Sequence, residues 1–162
     1  MEEYRKFLAE VRKETGIEAM TPDEGGLVSV SVDGKFNVNL QFVEASGQVL
    51  CFVEVATLPK DAPKEIYRDL LAGGLFGRDT AGGHFTLEQE TETVVYNYVF
   101  DFERASSDVA GFVHAMENIL HLCDDWLERI KGGAREEPAA VEEQRHFDAA
   151  EPWHFGPGEN WA

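Results

Sequence analysis

The sequence has few basic residues and no long apolar run. It holds 14 lysines and arginines against 31 aspartates and glutamates, which gives a net charge of −17. A surface this negative repels nucleic-acid phosphates and anionic lipid head groups, so we expect neither as a partner. No stretch approaches the roughly 18 apolar residues that a membrane helix requires, and no apolar run follows the charged N-terminus. We therefore predict no membrane span and no signal peptide.

The sequence also has only two cysteines, Cys51 and Cys123, and both fall inside apolar patterns. Neither belongs to a spacing that is typical of metal ligands, and cysteines in apolar patterns are typical of buried free thiols. We therefore expect a protein of the reducing cytoplasm, without a disulfide.

Recognisable catalytic and cofactor motifs are missing as well. The glycine-rich stretch 73–83 lacks the Gly-Lys-Ser/Thr ending of a P-loop and the spacing of a dinucleotide-binding turn. His114 and His121 lie seven residues apart near Asp124 and Asp125, but this spacing matches no recognised zinc motif. We expect no catalytic residue, no metal and no cofactor, which favours a binding function over an enzymatic one.

Hydrophobic residues make up 43% of the chain, and three segments repeat them at helical spacing. The spacing predicts an amphipathic helix over 2–14 that stops at Gly16, and a short helix over 63–72 with Asp61 as its N-cap. It also predicts a long helix that begins after Ser107 and stops at the glycine pair 132–133.

Five further segments alternate apolar and polar residues and are predicted to be strands. They are 28–32, 36–42, 49–58, 84–88 and 94–102. The first two are joined by Asp33-Gly34, a strong signal for a two-residue hairpin turn. The segment 49–58 is largely apolar on both faces, which indicates a central strand or a face that meets a partner.

The predicted order is α-β-β-β-α-β-β-α, and the hairpins make the twisted sheet mainly antiparallel, so the fold class is α+β. We assign 1–131 to one domain and 132–162 to an acidic tail. Two interpretations of the tail stay open. It is a flexible end, or its aromatic residues Trp153, Phe155 and Trp161 dock on an apolar groove until a partner arrives.

Several segments, taken in order, carry a resemblance to a known family. Helix 2–14 runs into Gly-Ile-Glu-Ala-Met, and Pro-Asp-Glu-Gly-Gly opens the first hairpin. Leu58-Pro59 precedes a helix that ends in Asp-Leu-Leu-Ala-Gly-Gly-Leu-Phe-Gly, and a second glycine pair precedes Phe85-Thr-Leu87. Over 7–130 this combination resembles the class I chaperones of type III secretion, the Tir-chaperone family. The pair Gly73-Gly74 departs from the family, which often carries Asn at this point.

The resemblance implies a homodimeric chaperone fold without catalytic activity. It implies that the dimer holds the N-terminal segment of a secreted effector in extended form and presents it to a type III secretion apparatus. The partners would be one or more effectors, a second copy of the chain and the ATPase of the secretion apparatus.

Candidate contact residues follow from the apolar faces together with this resemblance. The effector would contact the first helix and the second face of the third strand, at Phe7, Leu8, Val11, Leu50 and Phe52. The dimer interface would use the second helix and the aromatic strand, at Ile66, Tyr67, Leu70, Leu71, Val95 and Val99. For each single residue the alternative is an ordinary place in the core.

Two other functions stay open. The first is a regulatory chaperone-like protein that binds another chaperone or a transcriptional regulator and couples expression to secretion. The second is a small enzyme or ligand-binding domain with a polar-lined cavity near His84 or the aromatic strand.

Overall fold

The computed structural model describes residues 1–77 and 79–133, so the predicted tail from 134 onward and its three aromatic residues lie outside the described part. The described elements are α1 (Glu2–Thr15), β1 (Leu27–Val32), β2 (Phe36–Val43), β3 (Gln48–Thr57), α2 (Lys64–Gly73), a 3-10 turn (Leu75–Gly77), β4 (His84–Glu88), β5 (Thr93–Asp101), α3 (Phe102–Ser107) and α4 (Val109–Gly133). The predicted α+β class and element order are confirmed, apart from the added short helix α3.

The five strands form one antiparallel sheet in the order β1-β2-β3-β5-β4. β3 lies at its centre, between β2 and β5, which accounts for the two apolar faces of its sequence. β1 and β4 are the edge strands. β4 pairs with only the first half of β5, from Thr93 to Asn97.

The hairpin of β1 and β2 shows how the local sequence sets the register. Asp33 and Gly34 both have positive φ, 54° and 62°, as a type I′ turn requires. Val32 pairs with Phe36, however, so the loop has three residues, 33–35, and the predicted two-residue connection is wrong. In this register Val30 lies opposite Val38, and both point into the core. A slip of one residue would turn these valines to solvent, so the apolar pattern specifies this pairing.

Helices α1 and α4 cover one face of the sheet and form the core with it. The buried residues of α1 are Tyr4, Phe7, Leu8 and Val11, and those of α4 are Phe112, Ile119, Cys123, Trp126 and Ile130. The Phe7 ring meets the Phe112 ring edge-on at 5.0 Å, and the Tyr4 ring stacks on Phe42 at 4.9 Å. The other face of the sheet carries no helix in the described part of the chain; below it is called the open face.

Two predicted N-caps were wrong. A capped turn intervenes after β5, because the Asp101 side chain accepts the backbone N–H of Arg104 and starts α3. The cap of α4 is therefore Asp108, which accepts the N–H of Gly111, and not Ser107. At α2 the N-cap position is held by Pro63 rather than Asp61. At the other end of α4, Gly133 is the last residue of the helix, at the predicted glycine pair.

Candidate functional site

A groove lies on the helix-covered side of the sheet, where the C-terminal half of α1 and the middle of α4 diverge. Its volume is about 480 Å³. The β1–β2 hairpin forms the floor, and the loop after α1 extends one wall. Along α4 it reaches from Phe112 to Asp124, which is roughly 18 Å at the rise of an α-helix.

The floor of the groove is tightly packed, and its walls keep part of their apolar surface accessible. Val30, Phe36, Val38 and Leu40 are each at most 5% exposed, so they support the groove rather than offer free surface. The partly accessible apolar side chains are Ile17, Met20, Val32, Val113, Met116 and Leu120. They form a continuous lining against which a ligand can bury apolar side chains.

Charged side chains surround this apolar lining. Four carboxylates border the groove, namely Glu14, Asp33, Glu117 and Asp124. Lys35 is the one lysine of the lining, and it forms an ion pair with Asp124 across the groove mouth, between the hairpin turn and α4. The groove is therefore apolar inside and negative at its border.

The five predicted effector contacts do not form one surface. Phe7, Leu8 and Val11 are 4%, 1% and 1% exposed and pack in the core, and of the three only Val11 borders the groove. Leu50 and Phe52 lie on the open face, on the opposite side of the sheet, and are partly buried. Contact between any of the five and an effector stays a prediction.

The six predicted dimer contacts fall into two groups. On α2, Ile66 and Leu70 are buried inside the protomer, Tyr67 is partly buried and Leu71 is 78% exposed. On β5, Val95 and Val99 point to the open face, and Val99 is 46% exposed.

On the open face, the predicted effector residues of β3 and the predicted dimer residues of β5 share one surface. Leu50 pairs directly with Val99, and Phe52 pairs with Asn97, between Val95 and Val99. These four apolar side chains form one patch, defined here as the open-face patch: Leu50, Phe52, Val95 and Val99. Two different partners cannot occupy it at the same time.

The sequence patterns did not single out a second exposed apolar cluster, at the end of α2. Leu75 is 62% exposed and Phe76 is 98% exposed, next to the exposed Leu71. Phe76 also adopts a left-handed conformation with φ 57°, which is uncommon for an aromatic residue. The available signal was the apolar pair Leu75-Phe76 between glycines. With Leu71 it forms the α2-end cluster: Leu71, Leu75 and Phe76.

Buried polar contacts hold the loop that follows this cluster. The Trp126 indole N–H donates to the carbonyl of Asp79 at 2.9 Å, and the Tyr96 hydroxyl donates to the carbonyl of Thr80 at 2.7 Å. Thr80 is fully buried, and its hydroxyl donates to the Gly83 carbonyl. The bonds of Tyr96 and Thr80 are buried and that of Trp126 is partly buried, so together they hold the loop after α2 against α4 and β5.

A second hollow, of about 410 Å³, lies beside the aromatic strand. It is lined by Tyr98 and Phe100 and by the carboxylates of Asp101 and Asp108. Both carboxylates already accept backbone N–H groups as helix caps, so this hollow contains no free pair of acids for catalysis. His84 borders neither of the two hollows.

Metal-ligating side chains do not cluster among residues 1–77 and 79–133, where no three of the His, Cys, Asp and Glu residues lie close enough to hold an ion. His114 instead lies 3.6 Å from Glu117 on the same helix. Burial raises the pKa of the Cys51 and Cys123 thiols to about 12, so neither is a reactive thiolate. None of the described helices combines the length and the apolar content to cross a membrane.

A comparison with protein families matches residues 6–127 to the Tir chaperone protein (CesT) family. No curated protein sequence matches the chain.

Solved structures of similar fold include the crystal structure of the ExsC–ExsE complex, with a TM-score of 0.67 and 20% identity over 80% of this chain and 94% of that one. The HopA1–SchA chaperone–effector complex has a TM-score of 0.65 and 21% identity over 78% and 94%. The Yersinia pestis type III secretion chaperone SycH, bound to a fragment of YscM2, has a TM-score of 0.54 and 18% identity over 74% and 98%. At these identities the likeness shows a shared fold.

Proposed function

The chain belongs to the Tir chaperone protein (CesT) family, and on that premise we propose that it binds the N-terminal segment of a secreted effector in extended form and delivers it to a type III secretion apparatus. The role is that of a cytoplasmic escort without catalytic activity. The similar structures support it, because the HopA1–SchA structure is that of a chaperone with its effector.

The groove between α1 and α4 is the observation that carries this proposal. An unfolded segment exposes apolar side chains that aggregate in water, and a chaperone must bury them without folding them. The six partly accessible apolar side chains of the groove offer that surface on a protein that is otherwise strongly acidic.

The edge strand β1 adds a second means of binding. Among residues 1–77 and 79–133 it pairs with β2 alone. Leu27 at its start bonds Asp23, and the peptide groups that follow on this outer edge can bond an extended segment. Val30 and Val32 of the same strand line the groove. One extended segment can therefore pair with β1 through its backbone while its apolar side chains enter the groove.

The buried residues of the first helix have a supporting role in this proposal. Phe7 and Leu8 hold α1 on the sheet, and Val11 continues that packing into the groove wall. Replacing them would alter the groove through the position of α1 rather than by removing a contact with the effector.

We also propose that two copies of the chain associate through the α2-end cluster and the open-face patch. Phe76 is 98% exposed, and burial of so large an apolar side chain is favourable. A two-fold partner would bury it and thereby stabilise the dimer. In this dimer Leu50 and Phe52 contact the second copy with Val95 and Val99, which leaves the groove to the effector.

The test is affinity purification of the tagged full-length chain from its native bacterium, with mass spectrometry of the bound proteins. A groove variant, Met116→Asp with Leu120→Asp, should lose the bound effector. A matched variant at the far edge of the sheet, Leu87→Asp, should retain it, because Leu87 is 41% exposed and distant from the groove. Retention by the groove variant would contradict the proposed site.

The identity of the bound protein separates escort from regulation. A secreted effector whose export falls when the chaperone gene is deleted supports the escort role. Recovery of another chaperone or a transcriptional regulator in its place would support the regulatory alternative and overturn the escort role.

A further inference from the structure

We infer that the groove selects segments in which apolar anchor residues are flanked by lysine or arginine. This inference rests on the proposed function and specifies the chemistry of the ligand. It depends on the arrangement of charge around the groove rather than on the net charge of the protein alone.

The carboxylates of the border come from three different elements. Glu14 lies in the last turn of α1, Asp33 in the β1–β2 turn, and Glu117 and Asp124 on α4. Lys35 neutralises Asp124 by its ion pair. In the described part of the chain, no lysine or arginine forms an ion pair with Glu14, Asp33 or Glu117.

These three carboxylates lie beside apolar surface, on both walls and at one end of the groove. Apolar surroundings lower the effective dielectric, which strengthens the attraction of a ligand cation that comes to lie next to them. A basic residue on either side of a buried apolar anchor therefore finds a carboxylate, whereas an acidic residue meets repulsion.

The apolar lining indicates tolerance toward the anchor itself. Met20 and Met116 are two of the three methionines of the chain, and both line the groove. Methionine is flexible and polarizable, so it adapts to anchors of different shape. The carboxylates of the border then determine which segments bind, so the groove distinguishes ligands by the charge that flanks the anchor more than by the shape of the anchor.

The same charges argue against the chain's own C-terminal segment as the main occupant. Residues 134–162 contain seven acidic and two basic residues. An acidic segment is repelled by the groove border, so charge complementarity favours a separate, basic partner.

The experiment uses the full-length chain and short fluorescent peptides as probes. Two peptides carry the same leucine anchors, with lysine at the flanking positions of one and glutamate at those of the other. A third peptide keeps the lysines and replaces the leucines by serine. Binding is measured by fluorescence anisotropy at low and at physiological salt.

Two charge-reversal variants have the same net charge but differ in where the charge is changed. They distinguish attraction by the carboxylates of the groove border from attraction by the net charge of the protein. The groove variant is Glu14→Lys with Glu117→Lys. The control is Glu90→Lys with Glu103→Lys, which changes exposed glutamates of the β4–β5 turn and α3. Both variants raise the net charge by the same amount, so only the position of the change differs.

The lysine–leucine peptide should bind most tightly to the unmodified chain, and the groove variant should weaken this binding about tenfold relative to the control variant. The groove variant should also favour the glutamate peptide. Equal weakening by both variants, or equal affinity for both leucine peptides, would overturn the inference and leave the proposed function intact. Tight binding of the serine peptide would also overturn it, because the anchors would then contribute nothing.

Failure of the proposed function has a different signature. The variant Met116→Asp with Leu120→Asp should abolish binding of the lysine–leucine peptide. If this groove variant bound that peptide as well as the unmodified chain does, the groove would not be the binding site, and both proposals would fail.

A full-length variant with serine at Trp153, Phe155 and Trp161 tests the competing occupant. Unchanged affinity for the lysine–leucine peptide is the expected result. Tighter binding by this variant would show that the chain's own C-terminal segment occupies the groove, and would overturn the assignment of a separate basic partner as its main ligand.

Discussion

Replacing Gly73 by alanine should destabilise the protein, although alanine is the better helix former. Gly73 is the last residue of α2 and is buried against the Trp126 ring of α4. An added Cβ would lie 2.7 Å from Cη2 of Trp126 and closer still to Cζ2. Two carbon atoms in favourable contact are about 3.5–4.0 Å apart, so the ring or the helix must move by about 1 Å.

The Trp126 ring cannot move freely. Its indole N–H donates to the carbonyl of Asp79, the Arg129 guanidinium lies 3.9 Å from the ring centroid, and the Phe85 ring packs at 4.9 Å. Overpacking of this kind costs about 1–3 kcal/mol, and the gain in helix propensity at a terminal position offsets less than about 1 kcal/mol of it. We expect a net loss of about 1–2 kcal/mol in the free energy of unfolding.

Urea and thermal denaturation at one fixed protein concentration measure the effect, since the stability of the proposed dimer would depend on concentration. For a chain of this size the loss corresponds to a decrease of about 2–8 °C in Tm. Gly132→Ala is the matched control, because Gly132 lies in α4 with nothing within 4 Å of the added Cβ, and it should be neutral or stabilising. A Gly73→Ala variant that is as stable as the unmodified chain would refute the close packing of α2 on Trp126.

Three further predictions concern association, the thiols and a helix end. Phe76→Ser should convert the proposed dimer into a monomer in sedimentation at micromolar concentration while the protomer stays folded by circular dichroism; an unchanged sedimentation coefficient would count against the α2-end cluster as an interface. Cys51 and Cys123 should react with a thiol reagent only after unfolding. Because burial raises their pKa to about 12, against about 8.5 in an unfolded chain, the contribution of the thiols to stability should be constant below about pH 8.5 and be lost as the pH rises toward 12. A Cys51→Ala variant with the same pH dependence above about pH 8.5 as the unmodified chain would contradict a buried thiol at that position. Gly16→Ala should cost about 1 kcal/mol in urea denaturation, because Gly16 ends α1 with φ 70°, and a cost near zero would show that α1 does not need this left-handed residue.

Local patterns predicted the elements that repeat a clear period. The alternating valines predicted the first hairpin and its buried face, although its loop has three residues instead of two, and Gly16 predicted the end of α1. The ends of α2 and α4 were predicted less well, because capping depends on which of several neighbouring polar residues reaches a free N–H. Asp101 and Asp108 do so here, and Ser107 does not.

The groove could not be predicted from single segments. Its lining comes from α1, the loop after it, the β1–β2 hairpin and α4, which extend from Val11 to Asp124 in the chain yet meet in space. Periodicity marks the apolar side of each helix, but it does not tell which part of that side the sheet covers. Phe7 and Leu8 have the same pattern as groove residues, and the packing of α1 places them in the core.

By itself, the sequence determined the acidic character, the α+β class, the order of the main elements and the family, because charge, period and turn chemistry are local properties of the chain. Only the tertiary structure decided where these elements leave apolar surface uncovered. It separated a groove with a carboxylate border from the open-face patch, and it placed Leu71, Leu75 and Phe76 in solvent. The physical reason is that exposure belongs to the packing of several elements together, and no single segment contains that information.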